Sequence, residues 1–214
     1  LKESPWKRLE ILSERMPNTL IQMLLRASNT VGYSSYPDNL VKEFIRISAI
    51  KGVDVFRIFD SLNWMESMKM PVEEALKTGK IVEGSLCYTG DITSPKEVKY
   101  TLDYYVKKAH ELEDMGVHIL AIKDMAGLLK PYAAKLLVET LKSELKIPVH
   151  LHTHDTTGAG VATVLKAAEA GVDVVDVACA PMAGLTSQPS LDAVVAALHG
   201  TERDTGLDLR RVQE

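Results

Sequence analysis

A four-residue phrase returns three times along the chain: "GVDV" at 52–55, "GVHI" at 116–119 and "GVDV" at 171–174. Each copy stands where an amphipathic stretch hands over to an apolar run. The stretches "VKKAHELEDMG" and "VATVLKAAEAG" carry the 3.6-residue helical period and stop at glycine. Six apolar, β-rich runs follow this rhythm, at residues 19–25, 53–59, 81–88, 118–122, 147–152 and 172–178. Strand and helix alternating at a spacing of about 30 residues argue for a parallel sheet. A barrel and a doubly wound sheet both satisfy that pattern.

Composition narrows the function classes. A formal net charge of −4 lacks the basic footprint of a nucleic-acid binder, so neither DNA nor RNA is expected as a partner. No apolar run reaches the roughly 18 to 20 residues of a membrane helix, so no membrane association is expected. The two cysteines, Cys87 and Cys179, sit inside apolar runs where a free thiol packs as a small hydrophobe, and this suits a cytoplasmic protein. At 214 residues the chain reads as one domain, 1–214.

Arg26, Asp60, Lys123, His154 and Asp155 fall at the C-terminal ends of different runs. In a (β/α)8 barrel those ends converge on one mouth, which favours the barrel over the open sheet. The fold class expected is therefore α/β, a TIM barrel that is incomplete: about six βα units, with two strands missing from the front. The chain opens on a helix, "SPWKRLEILSERM", with Ser4 as N-cap and Pro5 at its first position. It begins at Leu1, and the polar tail "TERDTGLDLRRVQE" reads as leading into a further segment, so a piece of something longer is expected. Unpaired edge strands in such a piece would promote association.

Three stretches carry candidate chemistry. In "PVHLHTHDTTGAG", His150, His152 and His154 alternate along a strand and share one face. Neutral imidazole is a common ligand for transition metals, and His152 with His154 offers a two-point grip. His150 lies a layer deeper and reads as supporting them. In "HILAIKDMAG", Lys123 would be drawn into the mouth, where an ammonium is costly and ligates nothing. It must be paired with Asp124 or Asp155, or changed; a neutral amine reacts with carbon dioxide to give a carbamate, which can ligate. Asp124 and Asp155 read most simply as loop-ordering or helix-capping groups. In "QMLLRASNTVGYSSYPDN", Arg26 and Tyr33 can lean over the mouth, and guanidinium is a natural bidentate partner of a carboxylate. Asp60 is placed similarly. "GAG" at 158–160 lacks the third glycine of a dinucleotide fingerprint, which would fall on Thr163. The methionines of "MESMKM" read as an exposed loop or short helix, with gap-filling as their use.

Taken together, "RASNTVGYSSYPDN", "DVFRIFDSLN", "LCYTGD", "IKDMAGLLKP", "HLHTHDTTGAG" and "TSQPS" resemble the carboxyltransferase domain of pyruvate carboxylases, in order over nearly the whole chain. The wider barrel group, with 3-hydroxy-3-methylglutaryl-CoA lyase and isopropylmalate synthase, shares the H-x-H-D-T idea but lacks the lysine. The resemblance implies carboxyl transfer from carboxybiotin to pyruvate, giving oxaloacetate, by a biotin-dependent ligase. It implies a divalent metal ion, Mn2+ or Zn2+, held by a carbamylated lysine matching Lys123 and by histidines matching His152 and His154. Lys123 and Arg26 take catalytic roles, and Arg26 and Tyr33 contact substrate or biotin. It further implies biotin on a carrier domain absent from this chain and a homo-oligomeric parent. Two departures stand out. The family usually reads R-G-[SA]-N, and here position 27 is alanine. The family's first barrel strand, with a metal-binding aspartate, and a proton-transferring threonine have no counterpart here, so low activity is expected of the chain alone. Alternatives are an oxaloacetate decarboxylase or transcarboxylase subunit, a metal aldolase like 3-hydroxy-3-methylglutaryl-CoA lyase, and a non-catalytic scaffold.

Overall fold

A computed structural model describes residues 2–213. Six parallel strands alternate with helices, and their order in the sheet is their order in sequence, β1 to β6. Packing divides the chain into two compact units. The first runs through Ser85 and adds Glu111–Leu120, and the second comprises Leu86–His110 and the residues from Ala121 onward.

The first unit holds α1 (Pro5–Arg15), β1 (Gln22–Leu25), α2 (Asp38–Lys51), β2 (Val55–Phe59), α3 (Met65–Lys77) and most of β3 (Ile81–Cys87). All five residues of β2 are buried, as a parallel strand covered on both faces must be. Registers Leu24↔Arg57 and Arg57↔Glu83 put a charged pair on one level of neighbouring strands. Arg57 and Glu83 meet there side chain to side chain, 4% and 0% exposed. The alternation of apolar residues does not announce that buried pair. Ser4 stands at the N-cap of α1 but its side chain makes no capping bond. The "MESMKM" stretch differs from the expected exposed loop or short helix. It belongs to the 13-residue α3 and buries Met65 and Met68, because their three-residue spacing puts both on the apolar face.

The second unit contains the bulk of α4 (Leu102–Asp114) and of β4 (Ile119–Asp124). It continues through α5 (Pro131–Glu144), β5 (Val149–Thr153), α6 (Gly160–Glu169), β6 (Val174–Val175), α7 (Leu191–Leu198) and the short α8 (Leu209–Gln213). The expected run 172–178 shrinks to a two-residue strand, after which Ala178 bridges to Ser190. Cys87 is buried as expected, but Cys179 is exposed because the chain leaves the sheet before reaching it. Among the described residues no helix is long and apolar enough to cross a membrane.

The recurrent phrase has a physical meaning at each position. Gly52 and Gly171 end α2 and α6 with φ of 118° and 90°, a left-handed turn that costs glycine least. The following valine N–H reaches back to close the helix, Val53 to Ser48 O (3.0 Å) and Val172 to Ala167 O (3.1 Å). Val53, Val117 and Val172 are buried. The third residue latches an earlier strand through two reciprocal hydrogen bonds. Asp54 N–H donates to Ile21 O (2.8 Å), and Ile21 N–H donates to Asp54 Oδ2 (3.1 Å). His118 repeats this with Val82 O (2.8 Å) and Val82 N–H (3.0 Å, to Nδ1). Asp173 repeats it with Val149 O (3.0 Å) and Val149 N–H (2.7 Å, to Oδ2). Lys80 and Lys142 back the two carboxylates at 2.9 and 2.7 Å. Burial raises the pKa of Asp54 and Asp173, but the backbone N–H and the lysine outweigh it, and both lie below the usual carboxylate value.

Candidate functional site

In the second unit, His150 and His152 belong to β5 and His154 follows directly after it. His152 Nε2 and His154 Nε2 face each other at 3.1 Å. Each ring is tied by its other nitrogen. His154 Nδ1 lies 2.6 Å from Thr186 O, a carbonyl that can only accept, so Nδ1 carries the proton. His152 Nδ1 lies 2.6 Å from Asp176 Oδ2, and a carboxylate likewise only accepts. With both Nδ1 atoms donating, two neutral rings would point Nε2 lone pairs at one another. That arrangement is repulsive unless a cation sits between or beside them, which suits a metal ion.

Lys123 is 5% exposed near the end of β4. One residue on, Asp124 Oδ2 accepts from Thr153 Oγ1 (2.8 Å), and Asp124 O accepts from His154 N–H (3.0 Å). Asp124 and Thr153 are thus cross-strand neighbours, and by alternation Lys123 and His152 are neighbours on the other face. Asp124 also accepts from Leu128 N–H and Leu129 N–H (2.9 and 3.0 Å), so it shapes the "DMAG" turn. Gly127 in that turn has φ 65°, and a Cβ there would stand 2.6 Å from His154 O. Asp155 Oδ1 accepts Gly160 N–H (2.8 Å) at the start of α6. Both aspartates therefore order loops and helix starts. Among the described residues no group of three His, Cys, Asp or Glu side chains is placed to hold a metal. A site here needs Lys123 as well as the two imidazoles.

The "CYTGD" loop is fixed from outside. Tyr105 OH donates to Thr89 O (2.8 Å) and accepts Thr89 N–H (2.9 Å). Burial pushes Tyr88 up to about 12. Lys130 and Thr93 bind Asp91 and push it down to about 2.

In the first unit, Arg26 follows β1 and leads into a tight turn at Ala27–Asn29, closed by Arg26 N–H to Thr30 O (2.7 Å). Ala27 and Thr30 have φ of 42° and 50°, a region that costs residues with a Cβ. The Arg26 guanidinium carbon lies 4.6 Å from the centroid of the Tyr33 ring, a cation–π contact, and Tyr33 is 88% exposed. A cavity of about 240 Å³ is lined by Arg26, Asn29, Tyr33, Phe59, Asp60 and Ser61. Asp60 accepts from Leu62 N–H, Trp64 N–H and Ser67 Oγ at 2.9–3.0 Å, so it also holds its own loop.

Each unit thus gathers its own sequence-predicted residues: Arg26 with Tyr33 in the first, Lys123 with His152 and His154 in the second. Asp176, which accepts from His152 and from His150 (2.8 Å), was missed by the sequence reading. Its signal lay in "VDVVDVA", where a second aspartate interrupts an apolar run without a turn to explain it.

Six parallel strands alternating with helices, with an H-x-H pair and a lysine on neighbouring strand ends, describe a member of the α/β barrel class. The HMGL-like family profile matches residues 41–214, and the chain belongs to that family. Within it, the chain is similar to pyruvate carboxylases. It is 56% identical over 213 residues to the enzyme of Bacillus subtilis, covering 100% of this chain and 19% of that protein. It is 52% identical over 213 residues to the human mitochondrial enzyme, covering 99% and 18%. The carboxyltransferase domain of Rhizobium etli pyruvate carboxylase, solved with pyruvate, superposes with a TM-score of 0.97 at 52% identity, covering 99% of this chain and 36% of that one. The same domain solved with oxamate and biotin matches equally. The fold class is accordingly a partial TIM barrel of six βα units, as the charged residues at the strand ends predict. The chain spans about a fifth of the length of the curated relatives it matches.

Proposed function

We propose that this chain is carboxyltransferase segment of a biotin-dependent pyruvate carboxylase, and that it serves transfer of a carboxyl group from carboxybiotin to pyruvate, giving oxaloacetate. The observation that carries the reading is the pair of imidazole nitrogens, 3.1 Å apart, each anchored through its opposite nitrogen. Identity of 52% to a domain solved with pyruvate supports the choice of substrate.

His152, His154 and Lys123 would hold a divalent ion, Mn2+ or Zn2+. When bound, such an ion supplies positive charge to an oxygen on which negative charge develops. Lys123 would ligate as a carbamate: its neutral amine nitrogen bonds to the carbon of carbon dioxide and loses a proton, leaving an anionic oxygen donor. Burial favours the neutral amine that this step needs, because it penalises the ammonium. Arg26 grips the pyruvate carboxylate with its planar fork, and the Tyr33 ring holds the guanidinium in orientation. Tyr33, largely exposed, is free to touch substrate or the biotin ring. The charge on Arg26 would also stabilise the enolate of pyruvate: the methyl proton passes to the biotin anion left when carboxybiotin releases carbon dioxide, and the enolate carbon then bonds to that carbon dioxide. Biotin would ride on a carrier domain elsewhere in a homo-oligomeric parent, and a cytoplasmic location belongs to the same reading.

The test is isotope exchange on the intact protein that carries this segment. Labelled pyruvate is mixed with unlabelled oxaloacetate without ATP, with and without avidin. Label appearing in oxaloacetate, abolished by avidin and by Lys123→Ala, is expected. Absence of exchange in a biotinylated, folded preparation overturns the proposal, and ATP-independent net loss of oxaloacetate without exchange transfers it to a decarboxylase.

A further inference from the structure

We propose that Asp176 is a positioning residue for the metal site, and that the deeper His150 is its anchor; this rests on the reading of Lys123, His152 and His154 as ligands. Asp176 stands just beyond β6, where its N–H donates to Leu151 O (2.9 Å), so its backbone is fixed to β5. Its two carboxylate oxygens are divided between two histidines. Oδ2 takes His152 Nδ1 at 2.6 Å and Oδ1 takes His150 Nε2 at 2.8 Å.

A carboxylate accepts only, so each ring presents an N–H to it. For His152 the consequence reaches the proposed site: with the proton on Nδ1, the lone pair is on Nε2, the atom that faces His154. The His150 side chain is 6% exposed, so an Asp176 that swung outward would strand a buried donor. His150 therefore holds Asp176, Asp176 holds the His152 tautomer and ring plane, and His152 presents its lone pair.

The intact protein, stripped with chelator, is titrated with Mn2+ alone, and free Mn2+ is read by electron paramagnetic resonance. Asp176→Ala is expected to weaken Mn2+ binding by about 10- to 100-fold, the usual effect of removing a group that orients a ligand. His154→Ala is expected to weaken it further. In the metal-free wild type, long-range proton–nitrogen spectra are expected to show His152 with its proton on Nδ1, and His150→Phe is expected to mix the two tautomers. If His154→Ala leaves Mn2+ affinity unchanged, the metal reading itself fails. If His154→Ala weakens binding while a folded Asp176→Ala does not, only the role of Asp176 is overturned. Should Asp176→Ala fail to fold, the wild-type spectrum decides, and a His152 proton on Nε2 overturns the inference.

Discussion

Arg26 and Tyr33 in the first unit sit on a loop, whereas His152 in the second belongs to a strand and His154 follows it at once. The loop pair meets through a guanidinium over an exposed ring. The histidines are each tied at the back by a carbonyl or carboxylate at 2.6 Å. Under the proposed function the difference matches what each place would do. A group that meets a mobile substrate tolerates adjustment, while metal ligands lose affinity steeply when misaligned. Even so, the loop is not slack, because Ala27 and Thr30 hold positive φ beside Arg26.

The sharpest way to break the contrast is to remove one of the proposed ligands. His154→Ala should abolish measurable bound metal and lower pyruvate–oxaloacetate exchange by at least about 100-fold, the upper range for disturbed metal sites. Elemental analysis beside a melting curve checks it; full metal content in the variant would show the strand end is not a ligand site. Arg26→Lys tests the loop side. It keeps the charge but loses the fork, and the loss of about 1.5–3 kcal/mol for a charged hydrogen bond should raise KM for pyruvate roughly 10- to 100-fold. An unchanged KM would remove Arg26 from substrate binding.

Smaller effects test the latches, one from each unit. Asp54→Asn and Asp173→Asn should each cost about 1 kcal/mol at neutral pH, as a lost hydrogen bond does. Both carboxylates titrate below their ordinary value, so their contribution is complete above the unfolded carboxylate range of about 4 and is lost as pH falls through the folded value. Denaturant midpoints across that acid window should fall less steeply in the asparagine variants; identical slopes would mean the latches carry no linkage. Last, Ala27→Gly should stabilise by about 0.5–1 kcal/mol, since relief of about 1–2 kcal/mol of left-handed strain exceeds the 0.5–1 kcal/mol entropic cost of glycine. A loss of stability there would show that the turn beside Arg26 is unstrained.

Much of this architecture is written in local pattern. The six runs are strands because apolar residues fill them between helices of matching period, and α2 and α6 each stop at a glycine in a left-handed turn. The H-x-H pair is legible because alternation forces both rings to one face. Asp176 and the Arg57–Glu83 pair are not legible, because their partners lie 24 and 26 residues away and nothing local announces a buried charge. Asp124 and Asp155 read in the sequence most simply as loop-ordering or capping groups, and the N–H groups they accept from are those of a turn and a helix start.

The latches join residues 33, 36 and 24 positions apart, and always tie a later residue to an earlier strand. A polypeptide leaving the ribosome would therefore gain each lock only when the next module has been synthesised, so assembly would advance in the direction of translation, one module behind the growing end. Nascent chains arrested before and after Asp54 should differ in protease resistance around Ile21.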